Sequence, residues 1–296
     1  MSKVRKPRVH INPEFQLNVH LKTSPFIYFL KTPELKLPTK EFSFTPFSIS
    51  EISTEIVPFD FPTEKMLGKQ AEFIFESWLE HSQRFQLIAA NIQIQGATQT
   101  MGELDYIVTD TETNSTLHIE LACKFYLLDE RLGKTILEQW IGPNKKDRLV
   151  DKLEKMKTKQ FPLLYREETA SSLSKFQLDS SVIQQQYCLK AFLFVPKGFH
   201  PHTFPKYFQA CLTGFYIHGT ELDSEKDENA LYTLPQKKEW LLPPEGLRPW
   251  ISFSEAKKHI KNALAEKRAP LVYKKTDVSI EKFFVVWWDK PFRISV

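Results

Sequence analysis

Gly102 to Phe125 read GELDYIVTDTETNSTLHIELACKF. Leu104, Tyr106 and Val108 alternate with Glu103, Asp105 and Ile107. Thr109 to Ser115 is a run of turn residues. Alternation then resumes, with Leu117, Ile119, Leu121, Cys123 and Phe125 on one face and His118, Glu120, Ala122 and Lys124 on the other. A period of two on both sides of a polar run predicts two strands and a turn. A hairpin symmetric about the Glu112–Thr113 bond pairs residues whose numbers sum to 225. Asp105 then faces Glu120, with Cβ atoms roughly 5 Å apart.

Two facing carboxylates in a half-buried hairpin repel, and a cation or a retained proton must offset the repulsion. Lys124 lies on the face of Glu120, two pleats further on. A divalent ion is the other candidate, because Mg²⁺ takes one or two carboxylates together with phosphate oxygens. Two acids and a lysine on one strand face make a phosphodiester-cleaving arrangement. The same residues also describe a solvated polar face with a surface ion pair.

Composition narrows the class. The 296 residues suffice for one large domain or two modest ones, and 42% apolar residues with 24 phenylalanines build a packed core. Nine glycines and no GxxxxGK[ST] or GxGxxG pattern argue against a glycine-rich phosphate loop. The net charge of +4 permits nucleic-acid binding, and the placement of the charge decides it. Cys123, Cys188 and Cys211 lie far apart in apolar runs and read as buried thiols. The basic N-terminus has no apolar segment behind it and no run approaches a membrane span, so a cytoplasmic protein is expected.

Outward from the hairpin, residues 1–62 form a proline- and aromatic-rich arm with no regular period, expected to pack its aromatics on the body. A helix is predicted over Glu64 to Ser82 with Thr63 as N-cap, its stripe made by Leu67, Ala71, Ile74, Phe75 and Trp78. Glu72 falls about 100° from the stripe centre, where it either looks into a site beside the core or flanks it in solvent. Phe85 to Gln95 is a strand with Ile92 and Ile94 inward.

Beyond the hairpin, Asn144 is expected to cap a helix, with Asp147 three residues on. Lys145, Lys146, Arg148, Lys152, Lys155, Lys157 and Lys159 make that helix basic against Asp147, Asp151 and Glu154. Such a face suits phosphate contacts, through Lys145, Lys146, Arg148 and Lys152 above all, or is simply solvated. Arg166 to Gln186 reads as a surface loop, and Tyr187 to Val195 as a strand buried on both faces. The order is helix, three strands, helix, strand, a mixed α/β core over residues 63–196. Residues 197–296 are a β-rich extension of the same sheet. Strands are expected at Phe208–His218, Leu231–Leu234, Leu271–Lys274 and Phe283–Trp288, with one helix capped by Ser252 and Glu255. His200 and His202 flank a proline and offer a metal two imidazoles, as do many ordinary loop histidines.

Gly68-x-x-x-Glu72, Gly102-Glu103-Leu104-Asp105, Ile119-Glu120-x-Ala122-x-Lys124-Phe125-Tyr126-Leu127, Trp140-x-Gly142-Pro143-Asn144-x-x-Asp147-Arg148-Leu149 and Leu234-Pro235-x-x-x-x-Trp240-Leu241 resemble an uncharacterised bacterial family, the domain-of-unknown-function family numbered 1853. The similarity runs from about Met66 to the C-terminus and is densest between Gly102 and Leu149. That family is similar to the PD-(D/E)XK, or restriction-endonuclease-like, superfamily. The resemblance implies an αβββαβ core and a Mg²⁺- or Mn²⁺-dependent nuclease acting on DNA rather than RNA. Asp105 and Glu120 would hold the metal, with Glu72 as the acid of the first helix. The superfamily places its lysine two residues after the second acid, where this chain has Ala122. Lys124 is the nearest substitute, about 7 Å further along the strand. Leu104 stands where the first motif carries proline. Because the superfamily includes inactive descendants, a nuclease-fold module that binds nucleic acid or a protein is the alternative, and a purely structural subunit is a third.

Overall fold

The computed structural model describes residues 24–49 and 61–288. The first 23 residues of the arm and residues 50–60 lie outside them. Helix α1 (Pro25–Lys31) and the short strand β1 (Thr45–Pro46) come first, then helix α2 (Leu67–Glu80). Strands β2 (Phe85–Gln95), β3 (Thr100–Asp110) and β4 (Ser115–Leu128) follow, then the short β5 (Trp140–Ile141). Helix α3 (Leu149–Lys155) runs on through a π-helical turn, Met156–Gln160, into Phe161–Leu163. Helix α4 (Glu167–Ser174) leads to β6 (Gln184–Pro196) and β7 (Leu212–His218). Strand β8 (Leu231–Thr233), helix α5 (Phe253–Ala265) and strands β9 (Leu271–Lys275) and β10 (Ile280–Val286) complete the chain.

The strands form one ten-stranded mixed sheet in the order β2-β3-β4-β6-β7-β10-β9-β8, with β1 on β6 and β5 on β4. β2, β3 and β4 are an antiparallel meander, whereas β6 runs parallel to β4 and to β7, and β10 parallel to β7. The hairpin register is the expected one: Tyr106 pairs with Ile119, Ile107 with His118 and Val108 with Leu117. Its turn is tighter than the polar run, because strand pairing continues to Asp110 and Ser115, with Asn114 at φ 54° taking the left-handed position.

Alternation along β4 sorts its side chains. Leu117, Ile119, Leu121, Phe125 and Leu127 pack with the α2 stripe. Ala122, Tyr126 and Leu128 pack with Leu149, Leu153, Met156 and Phe161 of the α3 run. The two helices therefore cover opposite faces of the sheet. Leu104 does not share the α2 face with Tyr106; it sits with Ile94, Ile107, Leu163 and Leu164 in a separate cluster. Gly102 lets that cluster close, since a Cβ there would stand 2.8 Å from a Leu163 methyl.

Several local expectations change in three dimensions. Met66, not Thr63, is the N-cap of α2, because Gln70 Nε2 draws the Thr63 and Lys65 carbonyls into a preceding turn. The basic helix starts at Leu149 rather than Lys145. Asn144 does not cap it; its Oδ1 accepts from Ala269 N at 2.9 Å. The supposed loop from Arg166 contains α4, held by the buried Thr169 and Leu173. Ser252 caps α5 as expected, accepting from Glu255 N.

The described part of the N-terminal arm packs its aromatics inward as expected, yet it is not all irregular. Helix α1 docks Phe26 and Phe29, and the segment after it buries Leu35, Leu37, Phe42 and Phe47. Phe47 meets Phe75, Trp78 and Phe85 at ring distances of 5.0–6.0 Å, each such pair adding about 0.5–1.5 kcal/mol beyond area burial. The fully buried Lys190 on β6 donates to the Leu30 and Thr32 carbonyls, at 3.0 and 2.6 Å, and to Glu34 at 2.6 Å. Among the described residues no helix is long and apolar enough to cross a membrane.

Candidate functional site

The β3–β4 ladder ends at Tyr106 and Ile119, one residue short of the acids. Beyond that point β3 pairs only with β2, while β4 continues against β6 as far as Leu127. The strands splay, and Asp105 bridges the gap by accepting from Leu121 N at 2.9 Å. A side-chain carboxylate thus takes the amide that a continued ladder would have given to a β3 carbonyl. The unpaired edge of β4 becomes the floor of a cleft of about 520 Å³ lined by Leu121 to Phe125. The start of α2 with Glu72 forms one wall, and Asp147 and Lys152 another. Each wall comes from one face of the sheet, so the gap lets both faces reach one space.

Glu120 is fully buried. His118 Nε2 lies 3.0 Å from its Oε1, and Gln160 Nε2 donates to its Oε2. Gln185 Nε2 fixes the imidazole, lying 3.2 Å from His118 Nδ1 and donating to the Phe161 carbonyl at 2.8 Å. An amide N–H₂ on Nδ1 needs a lone pair there, so Nε2 carries the proton and donates to Glu120. Both oxygens of the buried carboxylate are therefore held in place by neighbouring donors.

Asp105 sits beside this buried charge. Burial first, and then the Glu120 carboxylate, push its pKa up to about 8; the Leu121 amide and Lys152 oppose the rise, and Glu72 adds to it. The electrostatics thus tie together Asp105, Glu120, Glu72 and Lys152. Lys152 projects from α3, and burial lowers its pKa against the pull of Glu120 and Asp105. Its Nζ donates to Gln160 Oε1 at 2.8 Å. The π turn makes that bond possible. With an i→i+5 turn included, two helical turns take roughly eight residues instead of seven, which brings Gln160 over Lys152.

The other expected residues are placed differently. Lys124 lines the cleft but pairs with Asp147 at 2.9 Å. Glu72 pairs with Lys69 and passes its backbone carbonyl to Tyr106 Oη at 3.1 Å. Lys145 stacks over Trp288 at 4.9 Å, and Arg148 binds the Leu132 and Glu138 carbonyls at 3.2 and 2.7 Å. Lys146 is exposed. Of the four residues expected to touch nucleic acid, only Lys152 belongs to the cleft, and there it faces the acids. His200 and His202 stack on each other at 5.4 Å. Cys188 and Cys211 are buried free thiols and Cys123 is half-buried. Sequence reasoning missed His118, Gln160 and Gln185. His118 stands two residues from Glu120 on the same strand face, a spacing that could have revealed it; the glutamines carry no comparable signal.

Among the described residues no group of three or more His, Cys, Asp and Glu side chains is placed to hold a metal ion. The acids present fit a hard cation that uses one or two carboxylates and takes its remaining ligands from water and phosphate. Asp105 Oδ2 is occupied by the Leu121 amide, and each Glu120 oxygen has one donor. Among the described residues, no further donor is bonded to these three oxygens and none to Asp105 Oδ1.

No curated protein matches the chain, and no solved structure does. The model of the family described as a domain of unknown function, DUF1853, matches residues 54–286, most of the chain, so this protein belongs to the DUF1853 family.

Proposed function

We propose that the chain is a metal-dependent nuclease hydrolysing phosphodiester bonds in DNA, with its site at the β3–β4 splay. The observation that carries the reading is the cleft at the β3–β4 splay, lined by Glu72, Lys152 and Leu121, with Asp105 bonded to the Leu121 amide and the buried Glu120 next to Leu121 in β4. Two carboxylates kept at the expense of mutual repulsion are what a site for a cation requires. The order of helix, three strands, helix and strand, with β4 and β6 parallel, supports a restriction-endonuclease-like core.

Asp105 and Glu120 would hold Mg²⁺ or Mn²⁺, and Glu72 would orient a second ion or its water. The bound cation would lower the pKa of the attacking water and offset phosphate charge. Lys152 is the better placed lysine for the missing position after Glu120. Lys124 is tied to Asp147, whereas Lys152 is drawn to both acids, and burial eases its ammonium toward the neutral amine that accepts a proton from water. The new bond joins the water oxygen to phosphorus, the bond to the leaving sugar oxygen breaks, and that oxygen takes a proton from solvent.

One observation favours the binding-module alternative. The network Gln185–His118–Glu120–Gln160–Lys152 satisfies the buried acid without a cation. Calorimetric titration with Mg²⁺ and Mn²⁺, paired with cleavage assays on single- and double-stranded DNA and RNA, separates the two. Metal binding lost in Asp105→Asn, together with metal-dependent cleavage, supports the nuclease; wild type that binds no metal and cuts nothing overturns it.

A further inference from the structure

The cleft at the β3–β4 splay has a mouth whose chemistry differs from its floor. Lys152 lines the cleft and is half-buried, so a phosphodiester reaches it only by entering. The volume, about 520 Å³, is that of a small-ligand pocket. It has room for a short stretch of one strand and not for a duplex. Of the lysines lining it, Lys124 pairs with Asp147 and Lys238 with Glu64. Lys65 and Lys237 stand exposed at the rim, with no ion pair to either among the described residues. Met66, between Lys65 and the first turn of α2, is 81% exposed. Beside it, nothing lies within 4 Å of where a Cβ of Gly68 would stand, so the wall is open there.

From this we infer that the cleft takes a single-stranded polynucleotide, with backbone phosphates on Lys65 and Lys237 and a base against Met66. The inference deepens the phosphodiester reading and rests on it for the direction in which the strand must run, down toward Asp105 and Glu120. Cations that track a backbone beside an apolar surface that takes base faces are how single strands are held without sequence readout. Methionine is flexible and polarizable and makes favourable contacts with flat π surfaces, so an exposed one can lie against an unstacked base. The phosphate contacts thus come from the start of α2 and from the Lys237 turn of the C-terminal part, not from the basic stretch after Asn144.

Fluorescence anisotropy in EDTA tests this without metal or hydrolysis. The full chain is titrated with labelled oligo-dT, oligo-U and a blunt duplex of equal length, at several salt concentrations. The single strands should bind about tenfold or more tighter than the duplex. The double variant Lys65→Ala/Lys237→Ala should flatten the log-affinity against log-salt slope by about 1.4, at roughly 0.7 per lost contact. Met66→Ala, at an exposed position, should weaken single-strand binding severalfold and leave duplex binding unchanged. Equal or tighter binding of the duplex, or an unaltered slope in the double variant, overturns the inference. Single-strand preference in a protein that cleaves nothing removes the nuclease reading and leaves this one. Cleavage of duplex DNA without that preference does the reverse.

Discussion

Asp105 is an acid that its surroundings keep protonated near neutrality. In the unfolded chain it ionises near pH 4, and in the folded protein near pH 8. Between these values the folded state holds a proton that the unfolded state has released. Stability from this group is therefore full below about pH 4 and falls as the pH rises to about 8. Asp105→Asn, which cannot ionise, escapes the fall. Its melting temperature should exceed that of wild type by more at pH 9 than at pH 5, and a constant difference across that range would show that neither burial nor Glu120 holds the Asp105 proton. Saturating Mg²⁺ should raise the wild-type melting temperature at pH 9 and leave the variant unmoved, since only a ligand that binds the native site stabilises it. The two lysines separate at the same scale. Lys152→Ala should lower the cleavage rate by about a hundredfold or more. Lys124→Ala removes a half-exposed ion pair worth about 0.2–1 kcal/mol and should change the rate little. The opposite ranking would return the proton-transfer role to Lys124.

The splay of β3 from β4 and the π turn of α3 build the site between them. Alternation and turn chemistry made the hairpin and its register legible as far as Tyr106 and Ile119. They did not reveal that the ladder stops there, because that depends on Asp105 itself capturing the Leu121 amide. Pro162 marks a break in the helical run after Leu149, but it does not say that the break is a π turn, so the reach of Gln160 to Lys152 was hidden. Gln160→Ala should retain the fold yet cost about 1–3 kcal/mol in urea denaturation, because Glu120 Oε2 would be buried without its donor. It should also weaken Mn²⁺ affinity by about 10- to 100-fold, as loss of an orienting partner does. An unaltered metal affinity would make Gln160 a packing residue only.

Across the whole molecule the sheet is continuous from β2 to β8, and the N-terminal segment is stapled to its middle. Lys190 is the staple, a buried cation whose bonds to Leu30, Thr32 and Glu34 cross more than 150 residues of sequence. Lys190→Met would leave Glu34 and two carbonyls without their donor, an expected loss of about 3–5 kcal/mol. Residues 24–49 should then be cut by protease well before the sheet is. An unchanged denaturation midpoint would mean that the aromatic contacts of Phe29 and Phe47 hold the segment by themselves.

Local periodicity settled the hairpin register, the helix, three-strand, helix, strand order, the buried stripe of α2 and the doubly covered β6. Each depends on neighbours a few residues apart, so the residue pattern by itself determined them. Long-range partners settled the rest. Asn144 reads as a helix cap until Ala269, 125 residues away, takes its oxygen. Lys124 reads as a cation beside Glu120, but in the fold Asp147 engages it, and Lys152 of α3 comes to the same sheet face and interacts with both acids. A short polar side chain bonds whichever donor or acceptor the fold brings within about 3 Å. Which one that is depends on how the strands diverge and the helices lie across them, and only the tertiary structure decided it.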